Sequence, residues 1–293
     1  MAIASLAPGR AAAPVISSET AATARSADAV PGESAALTLM EQGTAPRFDT
    51  TEIGPVRVRG LDYQAALSTV AAMLDSPDKQ VVAFCNAHTV NLSRRDARFR
   101  HALDRALVLN DGVGVDLARR VLYGTPFPDN LNGTDFTPAL LGTVRRPLRL
   151  FLLGSRPGVA ERAADVLAER FPGHRIVGTR DGFFDPSEGA AVADAIARSR
   201  ADLVLVGMGQ PRQELWAVEH GQATGAVVMC VGAYLDFVAG VVRRAPDWVR
   251  KGRLEWLFRL ASEPGRLAGR YLIGNPRFAG GVLIDRFVRD PQR

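Results

Sequence analysis

The chain is poor in cysteine, lysine and histidine, and it has no long hydrophobic run. Each shortage excludes something. Two cysteines give no sign of a disulfide framework; Cys85 and Cys230 both sit inside short apolar runs that read as buried strands, so both are expected to be reduced core thiols. No apolar stretch reaches the roughly 18 to 20 residues that a spanning helix needs. The longest candidates, Leu148–Gly154 and Ala226–Ala233, are strand-sized, so any membrane role is expected to be peripheral. Of the four histidines, His88 has no partner histidine or carboxylate at metal-ligand spacing, and no metal or cofactor is expected. His101, His174 and His220 read as surface or helix-end residues. Neither a GxGxxG element nor a P-loop occurs.

What is present is an ordinary globular balance, with 47% hydrophobic and 23% charged residues, enough to bury a sizeable core. The net charge of +5 is uneven. From Arg243 to Arg293 there are 12 Lys/Arg and 5 Asp/Glu, a balance of +7, which leaves −2 for everything before. A basic C-terminal segment on a near-neutral body suggests an anionic partner such as phosphate, nucleic acid or anionic lipid. Only Lys79 and Lys251 are lysines, so a general preference for arginine contributes to the same bias.

Residues 1–46 are rich in Ala, Ser, Thr, Pro and Gly without a sustained period and read as a disordered tail. No continuous apolar segment marks a secretory signal at the start. From Ile53 onward, short apolar runs alternate with helical patterns. The candidate strands are Val56–Val58, Val81–Cys85, Ala106–Asn110, Leu148–Leu153, Arg175–Thr179, Leu203–Gly207 and Val227–Val231. The helical patterns between them include Tyr63–Leu74, Val113–Leu122, Val159–Arg170, Glu188–Ser199 and Arg212–His220. Near-continuous apolar strands alternating with helices predict an α/β fold, a mainly parallel sheet covered on both faces. Residues 47–243 form this domain. Residues 244–293, Arg- and Trp-rich and broken by Pro246, Pro264 and Pro276, form a helical C-terminal appendage.

In such a sheet, ligands sit beyond the carboxyl ends of the strands, so the loops after the apolar runs hold the candidates for chemistry. Asn110-Asp111-Gly112-Val113-Gly114 follows one run and opens a helix. Asp111 has two readings there, a helix N-cap or a base that takes a proton from a hydroxyl. Leu153-Gly154-Ser155 follows another run; backbone N–H groups at such a turn, at Gly154 above all, can hold a phosphate or ribose, or the turn is a plain connection. In Gly209-Gln210-Pro211-Arg212-Gln213 the Gln213 amide offers both a donor and an acceptor, or faces solvent. Asn86 and Thr89, closing the Val81–Cys85 run, have ligand-binding side chains. Arg259, Arg266 and Arg270 lie in the appendage, with Arg266 and Arg270 four apart and so on one helical face. Their planar guanidinium groups suit phosphate contact, or they form a solvated basic face. The interleaved Trp248, Trp256, Phe258, Tyr271 and Phe278 make that surface amphipathic. No Asp-x-Asp occurs, so the metal-holding motif of many nucleotide-sugar enzymes is missing, and arginines would have to replace the metal in such an enzyme.

Taken in order, Asn86-Ala87-His88, Asn110-Asp111-Gly112-Val113-Gly114, Asn132-Gly133-Thr134-Asp135, Gly209-Gln210-Pro211-Arg212-Gln213-Glu214, Gly232-Ala233-Tyr234-Leu235-Asp236, Arg244-Ala245-Pro246-Asp247-Trp248 and Leu254-Glu255-Trp256 resemble the WecG/TagA/CpsF glycosyltransferases. The resemblance runs from about Ile53 to about Tyr271. It implies a Rossmann-like body and an inverting, metal-independent transfer from a UDP-sugar to a monosaccharide carried on undecaprenyl diphosphate. It also implies that Asp111 is the general base, that Gln213 contacts a sugar, and that Arg259, Arg266 and Arg270 bind a diphosphate in a membrane-docking element. Two departures stand out. Family members often have Arg where this chain has Asp129-Asn130-Leu131-Asn132, and Thr where it has Phe84; both positions, Asn130 included, are expected near substrate. The departures point to a donor without an N-acetyl group, glucose from UDP-glucose in a β-1,4 link of an exopolysaccharide, with a UDP-N-acetylmannosamine-type transfer as the alternative. Such an enzyme would lie peripherally on the inner face of the cytoplasmic membrane, and a homo-oligomer is compatible with it. The competing class, a non-catalytic nucleotide- or nucleic-acid-binding protein, has no DNA- or RNA-reading motif behind it, so no nucleic-acid partner is expected. A pure membrane adaptor would leave the Asp111 and Gln213 loops without purpose.

Overall fold

A computed structural model describes residues 49–246, 248–249, 252 and 254–289; the expected tail, residues 1–46, lies outside the described residues. Eight strands form one sheet: β1 (Thr50–Ile53), β2 (Val56–Arg59), β3 (Val81–Cys85), β4 (Ala106–Asn110), β5 (Arg149–Gly154), β6 (Arg175–Arg180), β7 (Leu203–Gly207) and β8 (Val227–Cys230). Their order is β1-β2-β4-β3-β8-β7-β5-β6. Every pairing is parallel except the hairpin of β1 with β2, so the fold is the mainly parallel α/β sheet that the alternation of apolar runs predicts.

The central strands are buried along their whole length because the pleat sends alternate residues into cores on both faces. Phe84, Leu107, Leu109, Leu150, Leu152, Leu203, Leu205 and Met229 join one core, beneath the helices Tyr63–Asp75, Gly133–Thr143 and Val159–Arg170. The opposite face carries two. Phe151, Leu153, Val204, Val206, Val228 and Cys230 pack under the helices Gly189–Ser199 and Arg212–His220. Ala83, Cys85 and Val108 pack under Ala97–Asp104 and Val113–Tyr123, with Phe278 and Val282 from the last helix, Gly274–Arg289. Both cysteines are buried and free, and burial pushes both thiols up.

Several helices absent from the sequence reading are started by caps. Asp96 accepts from the Phe99 amide, opening Ala97–Asp104, and Asn132 accepts from Asp135, opening Gly133–Thr143. Ala87–Ser93 begins with a reciprocal capping box between Asn86 and Thr89.

The C-terminal stretch is helical: Glu255–Ser262, Pro264–Ala268, a wide π turn over Gly269–Ile273, then Gly274–Arg289. The π turn ends three residues before Pro276, whose ring would meet the Leu272 carbonyl in a regular helix. Polar ties hold the last helix to the sheet domain. Asn91 donates to the Gly274 carbonyl at 2.7 Å, Arg94 pairs with Asp285, and Arg286 donates to the Val121 carbonyl. No helix among the described residues is long and apolar enough to cross a membrane.

Candidate active site

The carboxyl ends of β3, β4 and β7 converge, and two adjoining cavities open there. The larger, about 620 Å³, is lined by Asn86, His88, Asp111, Asn130, Asn132 and Thr134 from the sheet domain, and by Glu255, Trp256, Arg259, Arg270 and Tyr271 from the C-terminal helices. Its far half is apolar. The second, about 450 Å³, is lined by Arg95, Arg266, Arg270 and Arg277 with His88 and Gln210, and, among the described residues, by no carboxylate. Four guanidinium groups on one wall suit an anion with several oxygens. His88 and Arg270 belong to both cavities and form the partition between them.

Asp111 does not cap a helix. The following helix starts at Val113 with Gly112 as its cap residue, at φ 88° and without a side-chain cap bond; a left-handed backbone of this kind favours glycine. The Asp111 amide is pinned to the Cys85 carbonyl at 2.8 Å, which fixes the end of β4 against the end of β3. Its carboxylate accepts from Asn86 Nδ2 at 3.2 Å. Burial lifts the carboxyl above its usual range, while the Asn86 bond and the charges of Arg270 and Arg259 pull it partly back. Asn130 holds the same loop from the other side, its Oδ1 accepting from the Gly112 amide at 2.8 Å.

Behind this wall runs a chain of hydrogen bonds. Asn86 Oδ1 accepts from the His88 and Thr89 amides, and the Asn86 amide donates to Thr89 Oγ1 at 3.0 Å. Thr89 Oγ1 in turn donates to Gln210 Oε1 at 3.0 Å. Gln210 Nε2 donates to Glu214 Oε1 at 3.1 Å. Gln213 Nε2 donates to the same oxygen at 2.8 Å. The Asp111 loop is thereby tied to a carboxylate buried two strands away.

Three expected contacts lie off the walls of both cavities, the first two because of this chain. Thr89 is 0% exposed and Gln213 2%, and their polar atoms are committed to the scaffold, Gln213 Oε1 accepting from the Gly209 amide. Neither lies on a cavity wall, so neither is positioned to touch a ligand in this arrangement. Gly154 is also off the wall. Its φ is 138°, and a Cβ there would fall 2.5 Å from the Gly207 carbonyl; glycine is required by the close approach of β5 and β7. A fourth expectation concerns the sugar. Phe84 turns its ring into the core, edge-on to Phe136, 3.0 Å from where a Cβ on Gly133 would stand.

The arginines divide between the cavities. Arg259 lies in the larger one, stacked over Phe237, with its buried Nε unpartnered by any described residue. Arg266 lines the smaller and pairs with Glu263 at 2.7 Å. Arg270 is deeply set in the partition, and burial lowers its pKa from the ordinary value. Burial, aided by the Arg270 charge, takes His88 down to about 4, so its imidazole is neutral near pH 7 and free to act as a hydrogen-bonding group. Among the described residues, no three His, Cys, Asp or Glu side chains are grouped to hold a metal.

Glu214, Glu255, Arg95, Arg277 and Gln210 were given no role of their own by sequence reasoning, and Trp256 only a place on an amphipathic surface. Glu214 is 1% exposed, and burial raises it to about 7. The folded protein therefore keeps this proton at pH values where the unfolded chain has already released it. Stability contributed by the protonated carboxyl is full below the ordinary carboxylate range and falls as pH rises toward 7. Glu214→Gln escapes that loss. Its melting temperature, followed from about pH 5 to about pH 8, should gain on the wild type as pH rises, reflecting a stability difference that grows to roughly 3 kcal/mol. A pH-independent difference would show that Glu214 ionises freely.

Residues 51–292 match the model of the Glycosyl transferase WecG/TagA/CpsF family. The chain is 31% identical over 192 residues to the N-acetylglucosaminyldiphosphoundecaprenol N-acetyl-beta-D-mannosaminyltransferase of Bacillus spizizenii, covering 64% of this chain and 73% of the relative. The protein of the same description from Bacillus subtilis is also 31% identical, over 178 residues, covering 60% and 68%.

Proposed function

The chain belongs to the WecG/TagA/CpsF glycosyl transferase family, and from that premise we propose that it moves a hexosyl group from a UDP-sugar onto a monosaccharide carried on undecaprenyl diphosphate. The observation that carries this reading is the larger cavity, where a half-buried carboxylate, Asp111, stands with Arg259 and Arg270 in one lining. Asp111 takes the proton of an acceptor hydroxyl, O4 in the best-fitting case. The hydroxyl oxygen forms a bond to the anomeric carbon of the donor. The bond from that carbon to the UDP oxygen breaks, its electron pair leaves on UDP, and the configuration inverts. Arginine cations stabilise the charge growing on the diphosphate, an effect worth about 3–4 kcal/mol for a well-placed donor. The basic second cavity, with Arg266 and Arg270, suits the diphosphate of UDP, which leaves the Arg259 end of the larger cavity to the acceptor's diphosphate.

The names of the two relatives favour N-acetylmannosamine as the transferred sugar. The glucosyl expectation leaned on two departures, and with the Phe84 ring in the core only the Asp129–Asn132 stretch is left to support it. UDP release is measured with UDP-N-acetylmannosamine and UDP-glucose against N-acetylglucosaminyl- and glucosyl-diphospholipids. Acceptor-dependent release from the first donor is expected. Release from UDP-glucose alone would restore the glucosyl reading, and no release from any pair would overturn the transferase reading.

The pH dependence follows from Asp111. Protonated, its carboxyl cannot accept a proton, so turnover should fall as pH drops through its pKa, with an inflection above the ordinary carboxylate range. The Asn86 bond favours the charged form, so Asn86→Ala should move that inflection to higher pH. An unmoved inflection would remove Asp111 as the titrating group.

Membrane attachment at the cytoplasmic face belongs to the same proposal. The C-terminal helices expose Leu272, Ile273, Ile284 and Phe287 beside their arginines, and apolar insertion plus basic charge suffices for reversible binding. Sedimentation with phosphatidylglycerol vesicles should be strong at low salt and weaken as salt rises. Equal binding to neutral vesicles would argue against the basic contribution.

A further inference from the structure

The larger cavity is two-sided in character. At one end stand Asp111, Arg259 and Arg270; away from them it continues as a trough between the helices Val113–Tyr123 and Gly274–Arg289, floored by Val121, Phe278 and Val282 and edged by Val113, Leu117 and Leu283. Leu117 is 57% and Leu283 52% exposed. Isolated exposed leucines are unremarkable, but two on facing helices, over an apolar floor and open to one cavity, form a continuous apolar surface in need of cover. The proton-accepting reaction of Asp111 gives the trough no task, and the phosphates and hydroxyls of a nucleotide or a hexose gain nothing from it.

We propose that this trough binds the first isoprene units of a polyprenyl diphosphate, with the diphosphate at Arg259 and Arg270 and the acceptor sugar at Asp111. The proposal deepens the acceptor reading above and rests on it. Two features point to this occupant. The charge at the inner end is complementary to a diphosphate, and the chain next to a polyprenyl diphosphate is a branched hydrocarbon that matches the outer half. The trough also leads outward: Leu283 and Phe287 are four residues apart on one helix and so share a face, and Phe287 is among the exposed apolar residues assigned to the membrane contact. A long polyprenyl chain could leave the trough there and remain in the bilayer.

Calorimetric titration of the full chain with inorganic diphosphate and with farnesyl diphosphate tests the proposal without any turnover. Farnesyl diphosphate should bind at least about tenfold more tightly than inorganic diphosphate, because burial of even one such apolar group is worth that much. The double variant L117Q/L283Q should lose this advantage while binding inorganic diphosphate as the wild type does. Phe287→Gln should do the reverse, weakening partition onto phosphatidylglycerol vesicles and keeping the farnesyl preference. On the wild type alone, affinity should climb from geranyl to farnesyl diphosphate and then level off, as a trough of finite length demands. Equal affinity for the two diphosphates, a variant that keeps the preference, or a preference lost only in step with vesicle binding would each overturn the trough. Failure of the transferase reading would look different: the prenyl preference would stand, with no acceptor-dependent release of UDP.

Discussion

Replacing Asp111 with Asn should lower turnover by about 10²–10⁴ and leave UDP binding within a small factor of wild type. The substitution keeps the shape of the side chain and can still face Asn86 across the same gap, so the loop between β4 and the helix Val113–Tyr123 has no reason to move. What is lost is the ability to accept a proton while the acceptor oxygen attacks. The burial that lifts the Asp111 carboxyl above its usual range makes the loss larger, because a more basic carboxylate is a better acceptor near neutral pH. Titration of UDP and single-turnover kinetics on the same preparation separate the two quantities. A variant that binds UDP and turns over at the wild-type rate would remove Asp111 from the reaction.

Arg270→Ala should cost about 10²–10³ in kcat/KM and also shift the pH profile. Arg270 is set in the partition between two cavities, away from water that would screen it, so its charge acts at close to full strength on whatever anion enters either side. The same charge helps keep Asp111 ionised. Its removal should therefore raise the Asp111 pKa and move the acid inflection to higher pH, which no loss of phosphate contact alone would do. Arg270→Lys restores a cation without the planar fork; it should return the inflection while recovering only part of kcat/KM. If the alanine variant loses kcat/KM with its inflection unmoved, the two groups are electrostatically independent.

The sheet was legible because burial on both faces leaves a plain trace, a run of four or five apolar residues ended by a glycine or an asparagine. The runs at β3, β4 and β7 coincide with their strands. Where that trace is absent, the reading failed. β1 is four residues long with only Thr51 and Ile53 buried, too short for alternation to register. The helix Ala87–Ser93 has no apolar stripe and is started by Asn86 and Thr89. Asn86 does reach the cavity wall, but Thr89, taken for a ligand contact, is turned into the scaffold, and its partner explains why. Thr89 is joined to Gln210 across 121 positions, and nothing local to either residue announces the other. Glu214 was passed over for the same reason, since a carboxylate on a helix normally faces water and only the packing of that helix against β7 and β8 hides this one. Asp111 was legible by contrast, because glycines after an apolar run mark a place where backbone and ligand can meet. The Asn86–Asp111 bond that holds it was not.

The chain from Asp111 through Asn86, Thr89 and Gln210 to Glu214 also bears on how such a sequence can change. Its members lie in three separate stretches, yet each satisfies the next one's polar atoms, so a substitution at one leaves a buried donor or acceptor idle at another. Thr89→Val and Gln210→Leu should each be more harmful alone than a sum of their effects would suggest when combined, because the pair removes both ends of one bond together. Divergence at these positions should therefore proceed by paired exchanges, and a graft of the Asp111 loop into a different scaffold should fail unless the Gln210 and Glu214 turn travels with it.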